Sequence, residues 1–189
     1  GIVGVGAIGA RLPESAGSGL RMRVLGFRRD HAAMPTGVEW AALDDLFAQA
    51  DFIALACPLT EETRGLASAA RLARMKPGAW IINVARGPVI EEAALLDALR
   101  QGRIGGAALD VFDAQPLAPD HPLLSFPNVL LTPHVAGLSE EAVVRMSAGA
   151  AEEVIRILRG DPPRSLINPE AWEGSRARRA SLGLETVPA

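Results

Sequence analysis

Short apolar runs bounded by glycine, proline or charged residues recur along the chain, at residues 1–5, 22–27, 51–56, 79–84, 104–111 and 129–132. Each has the length of a strand and is almost wholly apolar, the pattern of strands covered on both faces. Between them the period changes. Residues 41–49, 67–75 and 91–101 carry apolar side chains three and four apart, which predicts amphipathic helices, and Gly102 supplies a stop after the third. A longer helix is predicted over residues 139–159, where Ser139 stands at the N-cap, Glu140 and Glu141 occupy the first turn, and arginines precede Gly160. Beyond Asp161-Pro162-Pro163 the chain turns polar and arginine-rich, and residues 173–189 show no periodicity, so this end reads as a solvated tail.

Strands that alternate with helices predict an α/β fold with parallel strands joined by crossover helices. Six such units without internal repeats fit a Rossmann-type doubly wound sheet of order 3-2-1-4-5-6, with ligand above the carboxyl ends of the strands. The expected organisation is a dinucleotide-binding domain over residues 1–138, a C-terminal helix and return segment over 139–170, and a polar tail over 171–189. Only Gly1, Ile2 and Val3 precede the first glycine loop, so the opening strand reads as starting part-way along its length.

Composition narrows the chemistry. A chain of 189 residues with 49% hydrophobic and 22% charged residues can bury a substantial core, which excludes disordered, fibrous and disulfide-stapled classes. The single cysteine, Cys57, allows neither an internal disulfide nor a cysteine-based zinc site, and with only His31, His121 and His134 no metal centre is expected. A net charge of −3 leaves no general basic surface for nucleic acid. No apolar run reaches the roughly 18 residues of a membrane span, and a signal-peptide pattern is lacking, so a cytoplasmic protein is expected.

Gly4-Val5-Gly6-Ala7-Ile8-Gly9 forms a G-x-G-x-x-G at the first strand-to-helix junction. Glycines there permit a tight turn, close approach to a pyrophosphate and packing of helix on strand. The acidic residue that would bind the ribose 2′-hydroxyl should follow the second strand, but Arg28 and Arg29 stand there, before Asp30. Two guanidinium groups suit a 2′-phosphate, so NADP(H) is preferred; NAD(H) stays possible, with Asp30 on the ribose if the strand ends later. Pro13 falls in the second turn of the helix that Gly9 should launch, and Gly17 and Gly19 weaken it further, so this helix is expected to be short, kinked or frayed.

In this topology the carboxyl ends of the last three strands bring Asn83-Val84-Ala85-Arg86-Gly87, Asp110 to Pro116, and Thr132-Pro133-His134 to one half of the crevice. An arginine there can hold a carboxylate and polarise a carbonyl, and a histidine can move the hydroxyl proton. The segments MKPGAWIINVARGPVIEE (75–92), GGAALDVF (105–112) and LLTPHVAG (130–137), with CPLTEETRGL (57–66), closely resemble the D-isomer-specific 2-hydroxyacid dehydrogenases over about residues 1–170. That resemblance implies hydride transfer between a nicotinamide and a small 2-oxo or 2-hydroxy acid. It implies that Arg86 binds the substrate carboxylate and carbonyl, that His134 is the acid/base, and that Gln115 orients it. It also implies that Ala7, Ile8, Pro58, Thr63, Val84 and Ala85 contact the cofactor, with Asp110 near the carboxamide. Together with the glycines of the loop, Gly4, Gly6 and Gly9, and the two arginines, Arg28 and Arg29, the expected cofactor site includes Cys57, Arg86, His134 and Gly137. A homodimer is expected from the relatives.

Two departures from the family bear on function. The family's usual partner of the histidine is glutamate, which favours imidazolium, whereas Gln115 orients the ring without a charge. Glutamine at this place is also the pattern of the superfamily's formate dehydrogenases. The family further places a substrate domain of roughly a hundred residues before the first strand, and that domain is largely missing from this sequence. Besides a dehydrogenase represented by its cofactor domain, the alternatives are a dinucleotide-binding fragment without turnover, a formate dehydrogenase-like hydride transfer, and a decayed remnant. Cys57 reads as a small buried residue and His121 as a loop residue, and neither is assigned to catalysis.

Overall fold

The computed structural model describes residues 1–183, in two units, 1–136 and 137–183. The first is built on a seven-stranded parallel sheet: β1 (Ile2–Val3), β2 (Leu25–Phe27), β3 (Glu39–Trp40), β4 (Phe52–Leu55), β5 (Trp80–Asn83), β6 (Gly106–Leu109) and β7 (Val129–Leu131). The spatial order is β3-β2-β1-β4-β5-β6-β7. This is the doubly wound order read from the sequence, with one strand more than the six expected. The extra strand is β3, whose two exposed residues carry no alternation; it takes the third place beside β2, and residues 51–56 supply the fourth strand, paired with β1.

The chain crosses from β2 on one side of β1 to β4 on the other, which opens the crevice of a doubly wound sheet at the carboxyl end of β1. Ile53, Leu55, Ile81, Ala107 and Leu109 place the central strands in one core with Leu46, Phe47, Leu72 and Leu95 from the helices. The strands are not all covered on both faces, as their composition suggested. At the sheet edge β7 leaves Leu130 exposed, and Phe52 at the start of β4 is half-exposed, because fewer elements overlie a strand at its ends and at an edge.

Helices α1 (Leu43–Gln49), α2 (Ala69–Leu72) and α3 (Glu92–Arg100) pack in series, α1 against α2 and α2 against α3. In α3 the apolar stripe buries Leu95, Leu96, Ala98 and Leu99, and Gly102 (φ 59°) ends the segment in the left-handed region glycine favours. After the glycine loop there is no regular α-helix: a 3-10 turn over Gly9–Arg11 leads through Pro13 into a π-type turn over Glu14–Gly19. The proline lacks the amide that a regular ladder would use, and the disturbance expected from it is observed.

The second unit contains α4 (Glu140–Arg159) and α5 (Ala171–Ser181). The Ser139 hydroxyl caps α4 by accepting the amide of Ala142, and Gly160 closes it at φ 86°. Helix α5 corrects the reading of residues 173–189 as a tail without structure: its polar and arginine-rich sequence has no apolar stripe to signal a helix. The remainder of that tail, residues 184–189, lies outside the described residues. Among the described residues no helix is long and apolar enough to cross a membrane.

Candidate active site

The glycine loop turns directly out of β1. Gly4 has φ 95°, a conformation L side chains rarely adopt, and its α-carbon lies against the backbone of Cys57 at the end of β4. A side chain at Gly9 would collide with the carbonyl oxygen of Gly4, so the third glycine lets the following turn close onto the loop. Gly6 differs: a Cβ built there meets nothing within 4 Å. The protein therefore leaves open the space above the middle glycine, flanked by exposed Ala7 and Ile8. An open cradle whose only occupant would be a group laid on the backbone fits a dinucleotide pyrophosphate.

Arg28 follows β2 directly, and its guanidinium donates to the Ala33 carbonyl at 2.7 Å. Arg29 lies 3.6 Å from Glu62, and Asp30 caps a 3-10 turn by accepting the Ala32 amide at 3.1 Å. Asp30 Oδ1 thus closes its own turn, while Arg28 and Arg29 stand at the carboxyl end of β2. On the other side of β1, the turn 57–63 is closed by Thr63, whose hydroxyl donates to the Pro58 carbonyl and accepts the Thr60 amide, both at 2.7 Å. The Cys57 thiol is buried, and burial pushes its pKa up, which disfavours a nucleophilic thiolate.

At the end of β5 the side chain of Asn83, 1% exposed, organises the next turn: Oδ1 accepts the amide of Ala85 and Nδ2 donates to the carbonyl of Arg86, each at 3.0 Å. Sequence reasoning gave Asn83 no role, although an asparagine inside an apolar run was a signal that a buried polar group must be satisfied locally. Arg86 is exposed, and its Nη1 donates to the carbonyl of Ala85 at 2.6 Å. Val84 extends the strand pairing through its amide to Leu55. Gly87 has no room for a side chain, since a Cβ would overlap the backbone of Phe112 and Asp113. The loops after β5 and β6 therefore touch.

Asp110, 6% exposed at the end of β6, holds the third loop. Its Oδ1 accepts the Thr132 hydroxyl at 2.6 Å and the amides of Val135 and Ala136 at 2.8 and 3.1 Å; Oδ2 accepts the Ala136 amide at 3.0 Å. Burial pushes its pKa up, but these hydrogen bonds and the nearby His134 outweigh burial and hold the carboxyl below its ordinary value. His134 sits inside this collar at φ 58°, in the left-handed region, where a non-glycine residue is strained unless its surroundings fix it. Its Nδ1 lies 3.2 Å from Oε1 of Gln115. Gln115, His134, Phe112, Leu117, Leu131 and Thr132 line a cleft of about 410 Å³. Gly137, the first residue of the second unit, is exposed.

Since an amide oxygen only accepts, the His134 ring carries its proton on Nδ1, and Nε2 is the nitrogen left for chemistry. The arrangement is an oriented imidazole beside a cleft, an exposed guanidinium on a neighbouring loop, and a glycine cradle at the crevice of the same sheet. Among the described residues no cluster of histidine, cysteine, aspartate and glutamate side chains could hold a metal ion.

The family model described as D-isomer specific 2-hydroxyacid dehydrogenase, NAD binding domain, matches residues 1–136. The chain is 43% identical over 173 residues to the glyoxylate reductase of Korarchaeum cryptofilum, covering 90% of this chain and 52% of that protein. It is 42% identical over 173 residues to glyoxylate/hydroxypyruvate reductase B of Escherichia fergusonii, covering 90% and 53%. A D-isomer-specific 2-hydroxyacid dehydrogenase from Xanthobacter autotrophicus, solved with NADPH and MES, superposes with a TM-score of 0.77 at 37% identity, over 90% of this chain and 71% of that one. The chain spans about half the length of the curated relatives it matches.

Proposed function

Because the chain belongs to the D-isomer-specific 2-hydroxyacid dehydrogenase family, we propose that it is the cofactor-binding part of an oxidoreductase that interconverts a small 2-oxo acid and its 2-hydroxy acid, with NADP(H) preferred. The observation that carries this reading is the Nδ1 of His134 engaged by Gln115, which leaves Nε2 to give or take a proton beside the cleft. When bound, the nicotinamide supplies the hydride to the carbonyl carbon, or accepts it in the reverse direction.

The chain's own residues supply the remainder. The Arg86 guanidinium holds the substrate carboxylate and polarises the adjacent carbonyl. With both ring nitrogens protonated, His134 delivers the Nε2 proton to the carbonyl oxygen as it becomes a hydroxyl and is left neutral with its remaining proton on Nδ1; in the reverse direction that neutral ring takes the hydroxyl proton on Nε2. Gln115 fixes the tautomer, and Asp110 fixes the loop. Gly4, Gly6, Ala7, Ile8 and Gly9 hold the pyrophosphate on backbone, while Arg28 and Arg29 take the 2′-phosphate. Cys57, Pro58, Thr63, Val84 and Ala85 complete the cofactor's surroundings, within a dinucleotide-binding domain that ends near residue 138. The glyoxylate and hydroxypyruvate reductase names of the similar proteins favour a short 2-oxo acid. The reading carries an assembly and an address with it, a homodimer in the cytoplasm.

Calorimetric titration of the chain with NADPH and then NADH tests the proposal. Saturable binding with NADPH tighter is the expected result, with glyoxylate and hydroxypyruvate reduction measured next. Absence of binding by folded protein overturns it.

A further inference from the structure

One histidine outside the proposed machinery ties together the two loops that carry it. His121 and Glu92 are 18% and 29% exposed, and Nε2 of the ring lies 3.1 Å from Oε1 of the carboxylate. The Nδ1 of the same ring accepts the amide of Leu123, a core residue, at 3.3 Å. A ring nitrogen that accepts carries no proton, so in the neutral ring Nε2 is the donor to Glu92. Both nitrogens of His121 are in use.

The places of this pair along the chain give it a function. Glu92 opens α3 six residues after Arg86, and His121 comes six residues after Gln115. The Arg86 loop and the Gln115 loop already touch where Gly87 packs on Phe112 and Asp113. One point of contact permits the loops to pivot on each other; a second point removes that freedom. The His121–Glu92 bond is that second point.

We propose that His121 and Glu92 form a clamp that sets the place of Gln115 relative to Arg86, and through Gln115 the tautomer and orientation of the His134 ring. Both are then positioning residues for the proton transfer. The inference rests on the reading of His134 as the acid/base, which cofactor titration tests separately.

The experiment follows the ring nitrogens of the histidines by NMR in the complete chain, with the His134 signals identified by their loss in His134→Gln. Gln115→Ala defines the signature of an unheld ring. Glu92→Ala and His121→Asn are expected to lose the Nδ1-protonated signature of His134 as Gln115→Ala does. In His121→Asn the amide oxygen can still receive Leu123 but nothing reaches Glu92, so this variant decides the matter if Glu92→Ala fails to fold. Glu92→Gln keeps the accepting oxygen and restores the signature. Leu123→Ala weakens the core while keeping its amide, and leaves the signature unchanged. The clamp is overturned if His134 keeps its wild-type signature in Glu92→Ala and His121→Asn, or if Leu123→Ala disturbs it as much as they do.

Discussion

Gln115 and His134, nineteen residues apart, meet through Oε1 and Nδ1 at 3.2 Å. The contact orients the imidazole as a carboxylate would, but the amide brings no charge to stabilise the imidazolium. Gln115→Glu is expected to extend the protonated range of the ring to higher pH, as a neighbouring carboxylate does. Titration of the His134 ring in the two proteins by NMR measures it; coincident midpoints would show that glutamine and glutamate are equivalent here.

Gly6 and Gly9 separate cofactor binding from folding. Gly6→Ala puts a methyl group into open space, so the thermal midpoint stays at the wild-type value. NADPH affinity is expected to fall at least tenfold, about 1.4 kcal/mol, because in the proposed cradle the methyl would occupy the place of the pyrophosphate. Gly9→Ala drives a methyl group into the Gly4 carbonyl and lowers stability by roughly 1–3 kcal/mol, the range for an overpacked site. Thermal melts beside calorimetry distinguish the two effects, and a Gly6→Ala protein that binds NADPH normally would remove the cradle from the site.

Arg28 rests on the Ala33 carbonyl. Arg28→Ala is expected to weaken NADPH by about tenfold, about 1.4 kcal/mol, and to leave NADH unchanged, since only the former offers a 2′-phosphate. An equal loss for both cofactors would mean that the guanidinium holds its own loop and reads no phosphate.

Asp110 links the site to acid stability. Its folded pKa is depressed, so its charged form adds stability above the unfolded value near 3.9, and that stability is lost as pH falls through the folded value. Asp110→Asn keeps one accepting oxygen and lacks this dependence. The stability gap between wild type and Asp110→Asn, on the order of 2 kcal/mol for charged hydrogen bonds, is full above about pH 4 and narrows below it. Denaturant melts across that range measure it, and a constant gap would contradict the assignment.

What could be read from the sequence depended on how far apart interacting residues lie. The glycine loop, the β5 turn around Arg86 and the capped helix α4 are local patterns, and their elements were placed from residues within a few positions of each other. Strand β3 escaped because two exposed residues have no period, and α5 because a helix polar on every side resembles a loop. The tethers of the site are long-range. Asp110 meets Thr132 and Ala136, and His121 meets Glu92 from 29 positions away, so the sequence offered Asp110 only as a cofactor contact and His121 only as a loop residue, and the tethering role of each became visible once the sheet brought its partner to it.

The Arg86 guanidinium is not idle before substrate arrives, since its Nη1 is bonded to the Ala85 carbonyl. In the role proposed for it, this bond steadies the guanidinium against its own turn, while its remaining N–H groups are there for an anion able to take two parallel hydrogen bonds. A ketone or aldehyde without a carboxylate offers no such pair of oxygens. Under that proposal, selection for acids begins with the resting bond of one arginine, before the shape of the rest of the molecule is tested.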